Sequence, residues 1–153
     1  MKLELRSPVN ERAGIHIPDE IANLNMPFNG SVCSEEGDEY PVKNNIIDLL
    51  GEEPEFTTLA NYSNHWKLTA SLYEDIWRKR SLSMLSGEDF PIEKEHELLI
   101  EWTAPKAGGK YLDIGCSTAL YARALKAARK EANIVALDFS FQMLEEARLK
   151  AEA

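Results

Sequence analysis

The chain of 153 residues has few cysteines and no long hydrophobic segment. Its two cysteines, Cys33 and Cys116, are too few for a disulfide framework and fit a reducing compartment. No apolar run approaches the roughly 18 residues of a membrane-spanning helix. The start, MKLELRSPVNERAG, also lacks the apolar segment of a secretory signal. We therefore expect a cytoplasmic protein without a membrane span.

Basic residues are scarce in the first part of the chain. Residues 1–61 hold 12 acidic and 4 basic residues, and so carry 8 of the 9 net negative charges. A surface of this sign repels phosphate backbones, so we expect no nucleic-acid partner, and solubility is the simpler explanation of the charge. The composition, 44% apolar and 28% charged, is that of a folded soluble protein.

Proline and glycine interrupt every run within residues 1–56. This segment predicts a small, irregular α+β module with short strands near residues 30–33 and 39–42. The apolar residues of 45–50 are expected to pack against it.

Residues 57–107 predict a helical linker or lid that is interrupted at Gly87 and Pro91. The helix before Gly87 carries an apolar stripe, and the helix after Pro91 has an acidic first turn. The stripe consists of Trp66, Thr69, Ala70, Tyr73, Ile76 and Trp77, and the second helix is expected to bury Leu98, Leu99 and Trp102.

Residues 108–153 alternate between strand and helix patterns. The strand KYLDIG precedes a helix of about four turns, TALYARALKAARKEA. The strand NIVALD has residues suited to burial on both faces, and Ser140 is the expected N-cap of the last helix. This order predicts the first two βα units of a Rossmann-like, doubly wound α/β sheet. Such sheets usually have about five strands or more, so we expect a protein partner, self-association or a longer chain to complete it.

Two acidic positions follow the predicted strands, where open α/β sheets bind ligands. One is in the loop from Asp113 to Ala119, and the other is Asp138. Asp138 follows Gly115 by 23 residues, close to the offset of about 20 residues at which an acid accepts hydrogen bonds from ribose hydroxyls. The spacing therefore predicts a nucleoside-containing ligand.

The loop has a single glycine, Gly115, which argues against a pyrophosphate site. A dinucleotide fingerprint requires glycine where Ser117 and Leu120 stand, and no P-loop lysine follows. Asp113, just ahead of the turn, suits a positively charged ligand such as S-adenosyl-L-methionine, which has a sulfonium and an amino group but no phosphate. Ser117 and Ala119 are small enough for a close backbone approach if these positions do not need a positive φ.

The segments YLDIGCSTALYARAL and VALDFSFQMLEEAR resemble the first two motifs of class I S-adenosylmethionine-dependent methyltransferases. The nearest group is that of the ubiquinone/menaquinone-biosynthesis enzymes (methyltransferase type 11), whose D-x-S-x-x-M-L is matched by DFSFQML. The resemblance implies that Asp113 orients the methionine end, Asp138 binds the ribose and Phe139 flanks the adenine. The cofactor-binding residues expected on this basis are Asp113, Gly115, Cys116, Ser117, Ala119, Asp138, Phe139 and Met143.

The segment VCSEEGDEYPVKNNIIDLL is similar to the end of a zinc-ribbon-like module, C-x-x-C-G-x-x-Y-P-x-x-x-G-I-x-D-L-L, which precedes some of these methyltransferases. Cys33 matches its first cysteine, but Glu36 replaces the second and no C-x-x-C comes before. A structural zinc site needs about four ligands, so residues 1–56 are expected to hold no metal. LYEDIWRKRSLSMLSG also looks like the linker helix of this arrangement.

The function predicted from these features is methyl transfer to a small or lipophilic molecule, with the catalytic residues unknown. One alternative is a non-catalytic, truncated or partner-dependent regulatory subunit, suggested by the missing strands and by Ser117 and Ala119. A weaker alternative, a nicotinamide-dependent oxidoreductase half-domain, is opposed by Leu120 and Asp113. Cys116 is interpreted as a small loop residue rather than a nucleophile, because no base lies near it in the sequence.

Overall fold

A computed structural model of the chain describes residues 5–51, 74 and 78–152. The chain divides into two compact units, Met1–Glu55 with Ala151–Ala153, and Phe56–Lys150. The predicted stripe from Trp66 to Trp77 lies outside the described residues. No helix in the described part of the chain is long and apolar enough to cross a membrane.

The first unit is built from short strands and one helical turn. Its sheets are a β1–β2 antiparallel pair and an antiparallel sheet of order β3-β4-β5. Its elements are β1 (Leu5–Arg6), β2 (Gly14–Ile15), α1 (Asp19–Ala22), β3 (Gly30–Cys33), β4 (Glu39–Lys43) and β5 (Ile46–Ile47). The strands predicted near residues 30–33 and 39–42 are confirmed as β3 and β4.

The core of this unit is formed by side chains that alternate between buried and exposed along the strands. Tyr40 and Val42 are buried on β4 while their neighbours are exposed, as expected for a sheet with one covered face. They pack with Val32, Ile15 and Ile21.

A tight turn sets the register between β4 and β5. Asn44 and Asn45 have φ of 51° and 66°, the left-handed pair that a two-residue hairpin turn requires and that asparagine tolerates. Asn45 also accepts a hydrogen bond from the Phe28 backbone N–H at 3.0 Å. The turn is thereby attached to the segment before β3.

Local signals set the ends of two helices of the second unit, α2 (Lys79–Ser86) and α3 (Ile92–Thr103). Gly87 ends α2 in a left-handed conformation with φ of 72°, and the extended Pro91 precedes α3. Both predicted interruptions are confirmed. The expected burial of Trp102 is wrong, since its side chain is 76% exposed.

The buried position on α3 belongs to an acid, Glu95, because its charge is paired. The Arg78 Nη2 lies 2.7 Å from the Glu95 Oε2, and the Tyr121 hydroxyl donates to the same oxygen at 2.8 Å. The Arg78 guanidinium also lies 5.0 Å from the Tyr121 ring centroid. Burial, followed by the hydrogen bond to Glu95, raises the pKa of Tyr121 to about 12. The ion pair connects α3 to Arg78, just ahead of α2, and the hydrogen bond connects α3 to the helix that carries Tyr121.

The rest of the second unit is a parallel βαβ arrangement followed by a helix. The elements are β6 (Lys110–Ile114), α4 (Leu120–Ala128), β7 (Asn133–Leu137) and α5 (Phe141–Glu152). Strands β6 and β7 pair in parallel from Lys110↔Asn133 to Ile114↔Leu137, as an α/β fold requires. The expected four turns for α4 are wrong, since its nine residues make about two and a half. Ala119 is left-handed and Arg129 is extended, and these conformations limit the helix at its two ends.

The two faces of the β6–β7 sheet differ in burial. On one face, small residues of the helices pack against Ile134 and Ala136 of β7. On the other, Leu112, Ile114 and Leu137 are exposed. The expected burial of NIVALD on both faces is therefore wrong for Leu137, because the described residues place helices over one face only.

Candidate functional site

The carboxyl ends of β6 and β7 bring the two predicted acidic positions together. Ile114 and Leu137 are paired in the last register position. Beyond them, the N–H groups of Gly115 and Cys116 both donate to the Leu137 carbonyl, at 2.8 and 2.9 Å. The loop from Gly115 to Ala119 therefore begins directly beside Asp138, as the parallel-sheet prediction requires.

Asp138 holds the turns after both strands. Its Oδ2 accepts a hydrogen bond from the Ser117 N–H at 2.8 Å, and its Oδ1 accepts one from the Ser140 N–H at 2.9 Å. Hydrogen bonds to a carboxylate are stronger than neutral ones. Because each carboxylate oxygen can accept a second hydrogen bond, Asp138 keeps capacity for ligand hydroxyls while it fixes the backbone.

Asp113 is half-buried on β6, and its carboxylate contacts the first turn of α4. Its Oδ2 accepts a hydrogen bond from the Ala122 N–H at 3.2 Å. Burial raises the pKa of Asp113, the bond from Ala122 opposes this effect, and the charge of Asp138 raises the pKa further. Two carboxyls that influence each other at one edge of the sheet create a negative potential, which favours a cationic ligand over a phosphate.

Left-handed backbone recurs at every second residue of the loop. Gly115, Ser117 and Ala119 have φ of 70°, 50° and 55°. These three positions correspond to the glycines of the pattern [D/E]-x-G-x-G-x-G, which begins at Asp113 and is typical of the S-adenosylmethionine-dependent methyltransferases that this loop resembles. Ser117 and Ala119 therefore do need a positive φ. A residue with a Cβ adopts this left-handed conformation at a cost of about 1–2 kcal/mol, so each replacement of glycine lowers stability by about that amount.

Cys116 is a packed thiol. It is 7% exposed, and its Sγ lies 3.6 Å from the Ser117 carbonyl oxygen. Burial, with the charges of Asp138 and Asp113, raises its pKa to about 12. A thiol with this pKa is protonated near neutral pH and is a poor nucleophile, which agrees with its interpretation as a small loop residue.

The residues after Asp138 divide between surface and interior. Phe139, the residue after Asp138, is 41% exposed, whereas Met143 is 2% exposed. The Ser140 Oγ accepts a hydrogen bond from the Met143 N–H at 3.3 Å, so the prediction of Ser140 as the N-cap is confirmed.

A second group of polar residues surrounds the loop and has no signal in the sequence. Thr118 is buried, and its hydroxyl donates to the Glu74 carboxylate. Glu74 also pairs with Arg123 on α4 and with Lys150 on α5. Glu74 and Thr118 are 44 positions apart, beyond the reach of any spacing rule.

In the described part of the chain, neither a group of metal ligands nor the groove beside Lys106 and Arg129 offers an alternative to this site. Among the residues that the structure describes, no three potential metal ligands come together; Cys33 and Glu36 are both exposed. An open groove of about 540 Å³ lies near the C-terminal ends of α3 and α4, beside Lys106 and Arg129. It contains no predicted site residue and lies by the start of β6, whereas Asp113 is near its end.

Residues 112–153 match the family model of a methyltransferase domain. The match begins within β6 and includes both Asp113 and Asp138. It supports a methyltransferase domain in this part of the chain. No curated protein matches the sequence.

Proposed function

We propose that this chain provides the S-adenosyl-L-methionine-binding part of a class I methyltransferase that acts on a small or lipophilic molecule. The observation that carries the proposal is the convergence of Asp113, Asp138 and the loop after β6 at the carboxyl ends of two parallel strands. This is the region that matches the methyltransferase domain.

The residues present fit this cofactor. Asp113 and Asp138 provide negative charge for a ligand with a sulfonium and an ammonium group. Asp138 also keeps hydrogen-bonding capacity for the ribose hydroxyls. No atom lies within 4 Å of the position that a Cβ on Gly115 would occupy, so the loop is open to a ligand here. Phe139, next to Asp138 in the chain, is 41% exposed, and its ring would be the surface on which an adenine packs.

S-adenosylmethionine, when bound, would offer its methyl group to the electron pair of the acceptor, and its positively charged sulfur would become a neutral thioether. The chain's contribution is to hold the reacting atoms in line, and such positioning accounts for much of the rate of displacement reactions. Asp138 and the loop orient the cofactor, and no described residue is assigned as the base that removes the acceptor's proton.

Calorimetric titration of the full chain with S-adenosylmethionine, and separately with NAD, tests this function. We expect the wild type to bind S-adenosylmethionine, and Asp138→Ala to weaken binding about tenfold or more, because a hydrogen bond to a charged group contributes about 1.5–3 kcal/mol. Asp89→Ala is the matched control, since it removes the same charge at an exposed position. Binding of NAD without S-adenosylmethionine would favour the oxidoreductase alternative.

A second candidate function is a binding or regulatory subunit that becomes competent only when its sheet is completed. It is favoured by the exposed apolar side chains of Leu112, Ile114 and Leu137 on one face of β6–β7. Further strands would come from a longer chain, a protein partner or a second copy. Light scattering with and without S-adenosylmethionine distinguishes the two candidates: a monomer that binds the cofactor contradicts the need for a partner.

A further inference from the structure

The carboxylate of Glu74 connects three elements of the second unit. Its Oε1 accepts a hydrogen bond from the Thr118 hydroxyl and pairs with the Arg123 Nη2. Its Oε2 lies 3.4 Å from the Lys150 Nζ. The Glu74 side chain is 13% exposed. One shielded charge therefore joins the loop, α4 and α5.

Thr118 is the residue through which Glu74 reaches the loop. It lies between Ser117 and Ala119, the two non-glycine residues of this loop that have positive φ. Its side chain is buried and bonded to Glu74, and its carbonyl accepts a hydrogen bond from the Arg123 Nε at 3.4 Å. Backbone strain of this kind persists only where surrounding contacts enforce it. The Glu74–Arg123 pair supplies two such contacts, because Glu74 binds the Thr118 hydroxyl and Arg123 binds the Thr118 carbonyl.

Glu74 is ionised when it makes these contacts. Burial alone would raise its pKa, but hydrogen bonds from Thr118 and Arg123 and the charges of Arg123 and Lys150 together hold the pKa below its ordinary value. As a carboxylate it accepts hydrogen bonds and offers none. The direction of the Thr118 bond, from hydroxyl to carboxylate, is therefore fixed at neutral pH.

We propose that Glu74 is a positioning residue for the candidate cofactor loop, acting through Thr118 to hold Ser117 and Ala119 on either side of it in their left-handed conformations. The proposal rests on the function proposed above and adds a residue to it. Asp138 fixes the loop through the Ser117 N–H, and Glu74 fixes it independently through the next side chain. Loss of either contact releases the strain toward a conformation less suited to the ligand.

Substitution at Thr118 tests the contact with little change of volume. Thr118→Val removes the hydroxyl, and we expect it to weaken S-adenosylmethionine binding about tenfold, the effect of losing one hydrogen bond to a charged group. Thr118→Ser keeps the hydroxyl and should restore affinity to within about threefold. Tyr121→Phe is the control for stability, because it removes a hydroxyl from α4 that bonds to Glu95 and not to the loop.

A double-mutant cycle shows whether Glu74 acts through Thr118. Glu74→Ala should weaken binding at least as much as Thr118→Val, and the double variant should bind no more weakly than Glu74→Ala alone. Full additivity of the two losses would overturn the proposal. A Thr118→Val protein that binds with wild-type affinity would overturn it as well.

Amide hydrogen exchange of the ligand-free protein separates this proposal from the proposed function. We expect peptides that cover residues 115–119 to exchange faster in Thr118→Val than in Tyr121→Phe. Faster exchange in Thr118→Val would support the role of Glu74 in the loop even if the wild type failed to bind S-adenosylmethionine. Such a failure to bind would refute the proposed cofactor but not the role of Glu74. Equal exchange in the two variants would refute the positioning role whatever the cofactor.

Discussion

Ser117→Gly should stabilise the second unit, although it removes a side chain. Ser117 has φ of 50°, and its N–H donates to Asp138. Glycine keeps that hydrogen bond, since the donor is backbone, and it adopts positive φ without the steric conflict of a Cβ. The substitution therefore relieves strain without removing the contact that fixes the loop.

The expected gain is the difference of two terms. The left-handed conformation costs a non-glycine residue about 1–2 kcal/mol. Glycine adds conformational entropy to the unfolded chain and so gives back about 0.4–1 kcal/mol. The net increase in the free energy of unfolding is about 0.5–1 kcal/mol. At Ala119 the same change also loses a buried methyl group, worth about 0.8 kcal/mol, so Ala119→Gly should be close to neutral.

Tryptophan fluorescence during urea unfolding measures this effect selectively. All three tryptophans, Trp66, Trp77 and Trp102, belong to the second unit, so the signal reports that unit alone. Ser117→Ala is the control, because it keeps the Cβ and should give no gain. The reasoning would be refuted if Ser117→Gly were less stable than both the wild type and Ser117→Ala.

Three further predictions concern buried ionisable groups. The pKa of Cys116 is raised to about 12 from the ordinary 9.0, so at pH 8 its alkylation by iodoacetamide should be about a thousandfold slower than that of an ordinary thiol. Mass spectrometry measures the rate, with the exposed Cys33 as the internal reference. Equal rates for the two cysteines would contradict the burial of Cys116. Glu95→Gln leaves Arg78 without its partner and should lower the free energy of unfolding by about 3 kcal/mol, seen as a lower urea midpoint; an unchanged midpoint would show that the pair contributes no stability. Because the pKa of Asp113 is raised above its ordinary 3.8, its charge costs stability as pH rises from 3.8 through the raised pKa. Asp113→Asn should therefore gain stability relative to the wild type over that window and stay level above it, and a gain that grew toward low pH would reverse the sign of the argument.

Short-range signals in the sequence predicted much of the fold. Gly87 and Pro91 marked helix boundaries because their backbone preferences act locally. Ser140 marked the start of α5 because a cap needs only the residues of one helical turn. These helix boundaries depend on neighbours in the sequence. The parallel pairing of β6 and β7 followed from the order of strand and helix along the chain, although its partners, such as Lys110 and Asn133, are 23 positions apart.

Features that depend on distant contacts escaped prediction. Propensity favoured a helix of four turns from Thr118, but Ala119 is left-handed and Arg129 is extended, so the helix is limited to Leu120–Ala128 between them. The link between Glu74 and Thr118 spans 44 positions and has no periodic signature. The candidate acids could be named from their spacing, whereas the conformation of the loop between them could not.

The open face of the β6–β7 sheet has a consequence for the behaviour of the protein in concentrated solution. In the described part of the chain, each of these strands has one edge without a strand partner, and Leu112, Ile114 and Leu137 lie exposed beside those edges. Edges of this kind are templates for aggregation. The net charge of −9 opposes such contacts by mutual repulsion between molecules. Because salt screens repulsion and leaves apolar attraction intact, the isolated chain should be most soluble at low ionic strength.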